Sequence, residues 1–404
     1  MRSARLYVPF AMAIAIASIL TIAAPTGSAQ TVKILYSSTG PSPQANVTFD
    51  AAGDLFWTAN YLINELTPGS GGSWSYSEPF DSYNYNNYES DPEGTVVFDS
   101  AGNMYAAVGP ARDNDGYILE LTPAAGGTWT PQTIYAFPPT ATYGSSPYAG
   151  LIFDTAGNLY GTTAYGGAYG AQYSGGTVFE LSPQAGGGWK HQILHSFGNG
   201  TDGSIPVTKL ILDSAGNLYG ATESGGIYSQ GTVYKLTKQP SGAWKEQILH
   251  HFGSGTDGQS PIQQIAMDAG GAIYGTTTGG GLYGQGAAFE LIQQENGAWK
   301  ENLIHSFGSG TDGSGPYSGV TLDAAGHVYG TTFFGGTLGG GVLFELIPHG
   351  NGAAFAEKIV HDFVASGDGT NPLAGVTFDS SGNIFGTTEG GGANGEGIVY
   401  EIVP

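Results

Sequence analysis

The sequence predicts an all-β fold, namely a seven-bladed β-propeller built from four-stranded antiparallel blades. Three observations support this prediction. One unit recurs seven times at intervals of 49 to 59 residues, a period typical of propeller blades and solenoid units. Most units contain four short apolar segments separated by glycine-rich turns, without helical periodicity. The third observation is that segments from the two ends of the chain can together supply the four strands of one blade.

Each unit opens with a short apolar strand and a turn, as in "LIFDTAGNLYGTT". The seven units align on an aspartate, with a glycine three residues later and an aromatic residue six residues later. Aspartate accepts backbone N–H bonds in turns, and glycine tolerates positive φ. We therefore expect a turn that builds the scaffold, with the aromatic residue packed between blades. The seven aspartates are Asp50, Asp99, Asp154, Asp213, Asp268, Asp323 and Asp379.

The remaining strands follow in a fixed order. The second reads "LYGTT", the third "VFELSP" and the fourth "WKHQILHSF", with glycine-rich loops between them. Short turns between successive strands predict an antiparallel meander. The third strand carries one recurrent charged position, occupied by Glu65, Glu120, Glu180, Lys235, Glu290, Glu345 and Glu401.

The chain ends predict a closed ring. The seventh unit stops at "GIVYEIVP", which is its third strand, and "TVKILYSST" near the N-terminus is a fourth strand without a preceding blade. Pairing these two segments completes the last blade and removes the open edges of the array. Residues 30–404 are therefore predicted to form one propeller domain.

The first 29 residues predict export. A head with two arginines precedes the apolar run "LYVPFAMAIAIASILTIA", and small residues end at Ala29. This pattern indicates a cleaved secretory signal peptide, with an uncleaved membrane anchor as the alternative. We expect a secreted or extracellular protein, with the periplasm as another possible location, and no membrane association after cleavage.

Composition limits the partners. After removal of the signal peptide, 33 acidic and nine basic residues give a formal charge of −24, and there is no cysteine. Such a charge repels nucleic acids and anionic membranes. We expect a monomer that depends on its apolar core rather than on disulfides. An extracellular glycan or protein is the expected partner.

The segments "AGNLYGTTAYGG", "GGTVFELSP" and "DGSIPVTKLILDSAGNLYG" resemble the GloVer tandem repeat of exported bacterial proteins. The resemblance covers essentially the whole mature chain and is strongest from about residue 145. It implies a repeat fold and export, but no activity. The turn also resembles, more weakly, those of NHL and lactonase-like propeller repeats. Units 1 and 2 depart from the pattern, because they lack the G-T-T and the double glycine.

Four histidines occupy one position of the fourth strand: His195, His250, His305 and His361. In a propeller this is the outermost strand, so the four side chains lie in different blades and cannot all bind one metal ion. We expect them to form hydrogen bonds between blades.

The loops at one end of the ring carry the candidate ligand-binding residues. Acids and aromatic rings on glycine-rich loops suit sugar or peptide binding, although such loops also serve simply to connect strands. The acids are Asp202, Asp257, Asp312 and Asp368, and the aromatic residues are Tyr165, Tyr169, Tyr228, Tyr283 and Phe333.

Two further sets are weaker candidates. Glu223 and Glu389 follow the second strands of units 4 and 7, where they break the repeat symmetry, and they are candidate catalytic carboxylates. Three blades of separation is wide for a glycosidase pair. Asp113 and Asp115 are candidate Ca²⁺ ligands in the acidic loop "RDNDGY", with a solvated turn as the alternative. No other cofactor is predicted.

These observations favour an exported binding or scaffold module without catalysis, because the repeat explains every strongly marked residue. The alternative is a hydrolase or lyase that acts on polysaccharides with the acidic, tyrosine-rich loop face.

Overall fold

A computed structural model describes residues 32–86, 90–110, 115–170, 174–349, 355–364 and 367–403. The predicted signal peptide and Asp113 lie outside these residues. The described chain forms seven antiparallel sheets, each with four successive strand positions, arranged as a seven-bladed β-propeller. The predicted fold class is confirmed.

The first three blades follow the chain in order. Blade 1 contains β2 (Thr48–Phe49), β3 (Leu55–Ala59), β4 (Leu62–Pro68) and β5 (Trp74–Asp81). Blade 2 contains β6 (Pro92–Phe98), β7 (Met104–Val108), β8 (Tyr117–Ala124) and β9 (Thr128–Ala136). Blade 3 contains β10 (Ile152–Phe153), β11 (Leu159–Thr163), β12 (Thr177–Pro183) and β13 (Trp189–Ser196).

At the loop end, blade 4 carries an additional two-stranded ribbon and blade 5 an additional short strand. Blade 4 contains β15 (Ile211–Leu212), β16 (Leu218–Thr222), β18 (Thr232–Lys238) and β19 (Trp244–His251), and the ribbon of β14 (Gly203–Ser204) and β17 (Ser224–Gly225). Blade 5 contains β20 (Gly258–Pro261), β21 (Ala266–Met267), β22 (Ile273–Gly280), β23 (Ala287–Gln293) and β24 (Trp299–Ser306).

Blade 6 contains β25 (Thr321–Leu322), β26 (Val328–Thr332), β27 (Val342–Pro348) and β28 (Phe355–Asp362). Blade 7 contains β29 (Thr377–Phe378), β30 (Ile384–Thr388), β31 (Ile398–Ile402) and β1 (Val32–Ser37). The helices in the described part are α1 (Ser82–Asn86) and two 3₁₀ turns, Ser70–Gly72 and Ala141–Tyr143. None of the described helices is long and apolar enough to span a membrane.

The two ends of the chain share blade 7. β1 pairs antiparallel with β31, with Val32 opposite Ile402 and Ser37 opposite Ile398. The ammonium group of Lys33 lies 3.0 Å from a carboxylate oxygen of Glu401 across this pair. The predicted closure is therefore present.

The core is divided among the blade interfaces. Seven clusters of buried apolar side chains each join two neighbouring blades. In one of them, Tyr160 of blade 3 packs with Leu210 and Leu218 of blade 4. The recurrent aromatic residue thus packs between blades, as the sequence predicts.

The recurrent aspartate accepts hydrogen bonds within its own turn. Asp213 Oδ1 accepts from the backbone N–H groups of Ala215 (2.9 Å) and Asn217 (2.8 Å). Its Oδ2 accepts from the Asn217 amide (2.7 Å) and the Tyr219 hydroxyl (3.1 Å). The glycine three residues later, Gly216, has φ +79°. The turn therefore has the scaffold geometry predicted for it.

The loop end of the ring is also organised by the repeat. The segment before the first strand pairs with the segment after the second strand in blades 3 to 7, for example Gly203 with Gly225 and Ser314 with Phe334. The fourth-to-first and second-to-third loops therefore lie together at one end.

Candidate functional site

The loop aspartates lie against the histidines of the fourth strands. Each aspartate follows its histidine by seven residues, so the chain folds back on itself after the strand ends. The Nε2–Oδ2 distances are 3.2 Å for His195–Asp202, 3.0 Å for His250–Asp257, 3.3 Å for His305–Asp312 and 3.0 Å for His361–Asp368.

The same aspartates hold the loop backbone. Asp257 Oδ1 accepts from the backbone N–H of Gly258 (2.6 Å), and its Oδ2 accepts from that of Gly253 (3.1 Å). The side chains of Asp202, Asp257 and Asp312 are only 7, 6 and 8% exposed. The carboxyl groups of these predicted ligand-binding residues therefore contact the histidines and the loop backbone of the protein itself.

A glutamate from the next blade completes three of these pairs. The resulting His–Asp–Glu clusters are His195, Asp202 and Glu246; His250, Asp257 and Glu301; and His305, Asp312 and Glu357. In each cluster one ligand-type atom per residue lies within 4.8 Å of the others. His195, His250 and His361 form hydrogen bonds with the aspartate of the loop that follows their own strand. The Nε2 atoms of His195 and His305 approach the glutamate of the next blade only to 3.5 and 3.7 Å. The hydrogen bonds between blades that the sequence predicts for the histidines are therefore not seen in the described structure, and the sequence analysis did not single out these glutamates.

Two of the clusters line open grooves at the outer edge of the ring. The groove between blades 3 and 4, of about 450 Å³, is lined by Tyr169 together with His195, Asp202 and Glu246. The groove between blades 5 and 6, of about 460 Å³, is lined by Tyr283 and the third cluster. We call these two the junction grooves. Tyr169 and Tyr283 are 59 and 50% exposed.

Burial and like charge govern the electrostatics of the clusters. Burial, with Asp202 beside it, raises the pKa of Glu246 well above its usual range. Burial and the charge of Asp312 raise the pKa of Glu357 to about 7. Burial also lowers the pKa of His305, against the opposing effect of Asp312. The glutamates of the clusters therefore keep their protons to a higher pH than an exposed carboxyl group does.

At two other blade junctions, a pair of stacked rings replaces the cluster. Tyr135 occupies the histidine position of blade 2, and it stacks on His191 in blade 3 at a centroid distance of 4.3 Å. Tyr36 and Tyr76 form the same kind of stack between blades 7 and 1, at 4.5 Å. At these two junctions, which lack the aspartate and glutamate of the cluster, two flat rings fill the space between the blades.

The inner aromatic candidates lie elsewhere. Tyr165 is half-buried and contacts Tyr148 edge to face, at 6.4 Å between centroids. Phe333 is half-buried between Tyr317 (5.6 Å) and Phe334 (4.7 Å). Tyr228, 48% exposed, is the blade 4 equivalent of Tyr169 and Tyr283. The predicted aromatic set is therefore split between an inner and an outer group.

The candidate catalytic and calcium-binding residues form no cluster in the described part of the chain. The backbone N–H of Glu223 donates to Ile205, and that of Glu389 donates to Asn371. Neither carboxylate belongs to a described group of histidine and acidic residues. The backbone N–H of Asp115 donates to Phe137, and burial raises the pKa of its carboxyl group. Its proposed partner Asp113 is outside the described residues.

A second concave site lies on the ring axis. A cavity of about 270 Å³ is lined by segments that precede the first strands of six blades. Its longer polar side chains are Gln44, Asn46, Glu93, Lys209, Gln263 and Gln264. Burial lowers the pKa of Lys209, and burial with nearby Asp91 raises that of Glu93 to about 7. No ion pair joins these two groups in the described structure.

Sequence reasoning missed both the three glutamates and the axial side chains. The glutamates stand two residues after the aromatic residue that opens the fourth strand, and only pairing across blades reveals their role. The axial set breaks the symmetry four residues before the recurrent aspartate, where Lys209 and Gln264 replace small residues such as Gly150 and Gly319. Comparing the units at that position would have found it.

The repeat also matches a known sequence family. The model of the Gloeobacter/Verrucomicrobia repeat matches residues 62–289 and 263–404, which together span most of the chain. The chain belongs to this family. No curated protein sequence matches the chain significantly.

Solved structures share the fold of this family member. Virginiamycin B lyase from Staphylococcus aureus is 13% identical, with a TM-score of 0.56, over 93% of this chain and 99% of the lyase. A streptogramin B lyase is 14% identical, with a TM-score of 0.55, over 93 and 97% of the two chains. The extracellular domain of a protein described as a hybrid two-component system from B. thetaiotaomicron is 15% identical, with a TM-score of 0.56, over 92 and 39%. At such identities the likeness shows the fold alone.

Proposed function

We propose that this protein is an exported, non-catalytic binding module that holds extracellular carbohydrate at its outer edge. The observation that carries the proposal is the composition of the junction grooves. In each, a tyrosine ring that is at least half exposed stands beside a histidine and two carboxyl groups. Export is proposed from the basic and apolar N-terminal segment.

The chemistry suits a sugar. The face of a sugar ring packs on a tyrosine, and its hydroxyl groups donate to carboxylates or accept from a protonated carboxyl group. Each groove is shallow and polar, so one contact is expected to be weak. Repetition of the site around the ring lets one polysaccharide engage several grooves, which raises the overall affinity without new contacts.

Retention on immobilised polysaccharides selected with a glycan array tests the proposal. The triple variant Tyr169→Ala, Tyr228→Ala, Tyr283→Ala is expected to lose retention while its melting temperature is unchanged, because these rings are exposed. Tyr143→Ala is the matched control, since that ring is 48% exposed on a different loop. Retention of the triple variant at the wild-type level would overturn the proposal.

A hydrolase that acts on polysaccharides is the second candidate, and one observation favours it. Glu357, with a pKa of about 7, lies beside His305 and Asp312 in a solvent-open groove. A carboxyl group with such a pKa is suited to general acid catalysis. We rank this candidate second because the same cluster recurs in three junctions, as a scaffold feature does.

A further inference from the structure

We infer that the three His–Asp–Glu clusters are binding sites for divalent zinc, one ion at each junction from blade 3 to blade 6. The ligands of each site are the Nε2 atom of the histidine, an Oδ atom of the aspartate and the Oε1 atom of the glutamate. The three sites are therefore His195, Asp202 and Glu246; His250, Asp257 and Glu301; and His305, Asp312 and Glu357.

The distances between ligand atoms fit tetrahedral coordination. Zinc binds histidine nitrogen and carboxylate oxygen at about 2.0–2.2 Å, so two ligands of a tetrahedral ion lie roughly 3.4 Å apart. His195 Nε2 lies 3.2 Å from Asp202 Oδ2 and 3.5 Å from Glu246 Oε1. His305 Nε2 lies 3.3 Å from Asp312 Oδ2 and 3.7 Å from Glu357 Oε1. A small ion fits among these atoms with little movement.

Buried atoms without hydrogen bonds point to the same ligand. The Oε1 atoms of Glu246, Glu301 and Glu357 are inaccessible to solvent and accept no hydrogen bond in the described structure. His305 Nε2 is likewise buried and has no hydrogen-bond partner in the described structure. Leaving buried polar atoms without a partner is unfavourable. A cation bound among them would take each of these atoms as a ligand.

The ligand set favours zinc over calcium and magnesium. Calcium and magnesium prefer six or more oxygen ligands, whereas one imidazole nitrogen with two carboxylates suits zinc. Three protein ligands leave a fourth position for water, and at two of the sites the ligand residues also line a junction groove.

Two other groups of histidine and acidic residues in the chain serve as controls for the three sites. His361 and Asp368 form the same pair at 3.0 Å, but the position of the glutamate is occupied by Val32, so only two ligands remain. A different cluster, of Asp323, His327 and Glu345, lies at the opposite end of blade 6. There the ammonium group of Lys358 lies 2.7 Å from Glu345 and already supplies the cation. Neither is expected to hold zinc.

The inference goes beyond carbohydrate binding and does not require it. The mature chain is stripped with a chelator, and ZnCl₂ alone is titrated by isothermal calorimetry and equilibrium dialysis. We expect three ions per chain, one per cluster, and a higher melting temperature with zinc than with calcium or magnesium. Each of Glu246→Gln, Glu301→Gln and Glu357→Gln is expected to remove one ion, and the triple variant all three.

His361→Gln and Glu345→Gln are the matched controls and are expected to leave the stoichiometry at three. Absence of zinc binding by the folded wild-type chain would overturn the inference, as would a triple variant that still binds three ions. If a glutamine variant fails to fold, the melting temperature of the wild type with and without zinc tests the inference instead. Clusters that bind no zinc would give the same melting temperature in both conditions. Zinc binding without retention on polysaccharide would reject the proposed function and leave this inference standing.

Discussion

The recurrent aspartate connects a sequence motif to one turn geometry. In blade 4, Asp213 accepts four hydrogen bonds, from Ala215, from Asn217 twice and from Tyr219. In blade 5 the equivalent Asp268 accepts only two, from Ala272 and Tyr274, because glycine and alanine replace parts of the motif. The repeat therefore contains strong and weak versions of one turn.

This difference predicts a graded cost. Asp213→Ala is expected to lower the free energy of unfolding by about 1–2 kcal/mol, and Asp268→Ala by roughly half as much, because fewer hydrogen bonds are lost. Urea denaturation measures both values. Neither variant is expected to change retention on polysaccharide. Loss of retention with unchanged stability would instead place Asp213 in a binding site.

Glu93 on the ring axis predicts a pH dependence of stability. Its pKa is about 7 in the folded chain, because of burial and nearby Asp91, against an ordinary value of 4.5. Between these values the folded chain keeps a proton that the unfolded chain has released. The free energy of unfolding therefore falls as pH rises from 4.5 to 7.

Glu93→Gln is expected to flatten that part of the stability profile, by roughly 1–3 kcal/mol across the interval. Denaturation at a series of pH values measures it. Glu295→Gln, at an exposed position, is the control. An unchanged slope in Glu93→Gln would show that Glu93 ionises normally in the folded chain.

Within a blade, the residue at the glycine position of the second strand varies together with its partner on the third strand. Gly330 of β26 lies opposite Phe344 of β27, and a Cβ added to it would lie 2.6 Å from the phenylalanine ring. In blade 2 the same pair is Ala106 with Leu119, and in blade 1 it is Trp57 with Asn64. A small residue on one strand accompanies a larger one on the other.

This complementarity predicts a rescue. Gly330→Ala is expected to destabilise the protein by about 1–3 kcal/mol, since the ring has no room to move within the packed interface. Adding Phe344→Leu, which recreates the pair of blade 2, is expected to remove the steric part of that cost. A double-mutant cycle measured by denaturation gives the coupling. Strictly additive effects would mean that the two side chains do not compete for space.

At the scale of the molecule, closure of the ring depends on β1. Deleting residues 30–40 removes the fourth strand of blade 7 and exposes β31 as an edge. The deletion also removes Tyr36 from its stack with Tyr76 at the neighbouring junction. We expect a lower melting temperature and a less cooperative transition by calorimetry. Melting identical to that of residues 30–404 would contradict a ring closed by the N-terminal strand.

The fold could be predicted from the sequence because the same strand and turn pattern occurs in seven units. Strand order, the turn at Asp213 and closure by residues 32–37 all follow from local patterns and counting. The clusters did not follow, because Glu246 and His195 are 51 residues apart and meet only across a blade interface. The axial position of Lys209 likewise depends on the ring as a whole.

The central functional claim is binding without turnover at the outer edge of the ring. The most direct test incubates residues 30–404, with and without zinc, on the polysaccharides that retain the protein, and measures release of new reducing ends and unsaturated products. The account predicts retention without product in both conditions. Product formation by the wild type that disappears in Glu357→Gln, while retention persists, would contradict it and identify a catalytic carboxyl group.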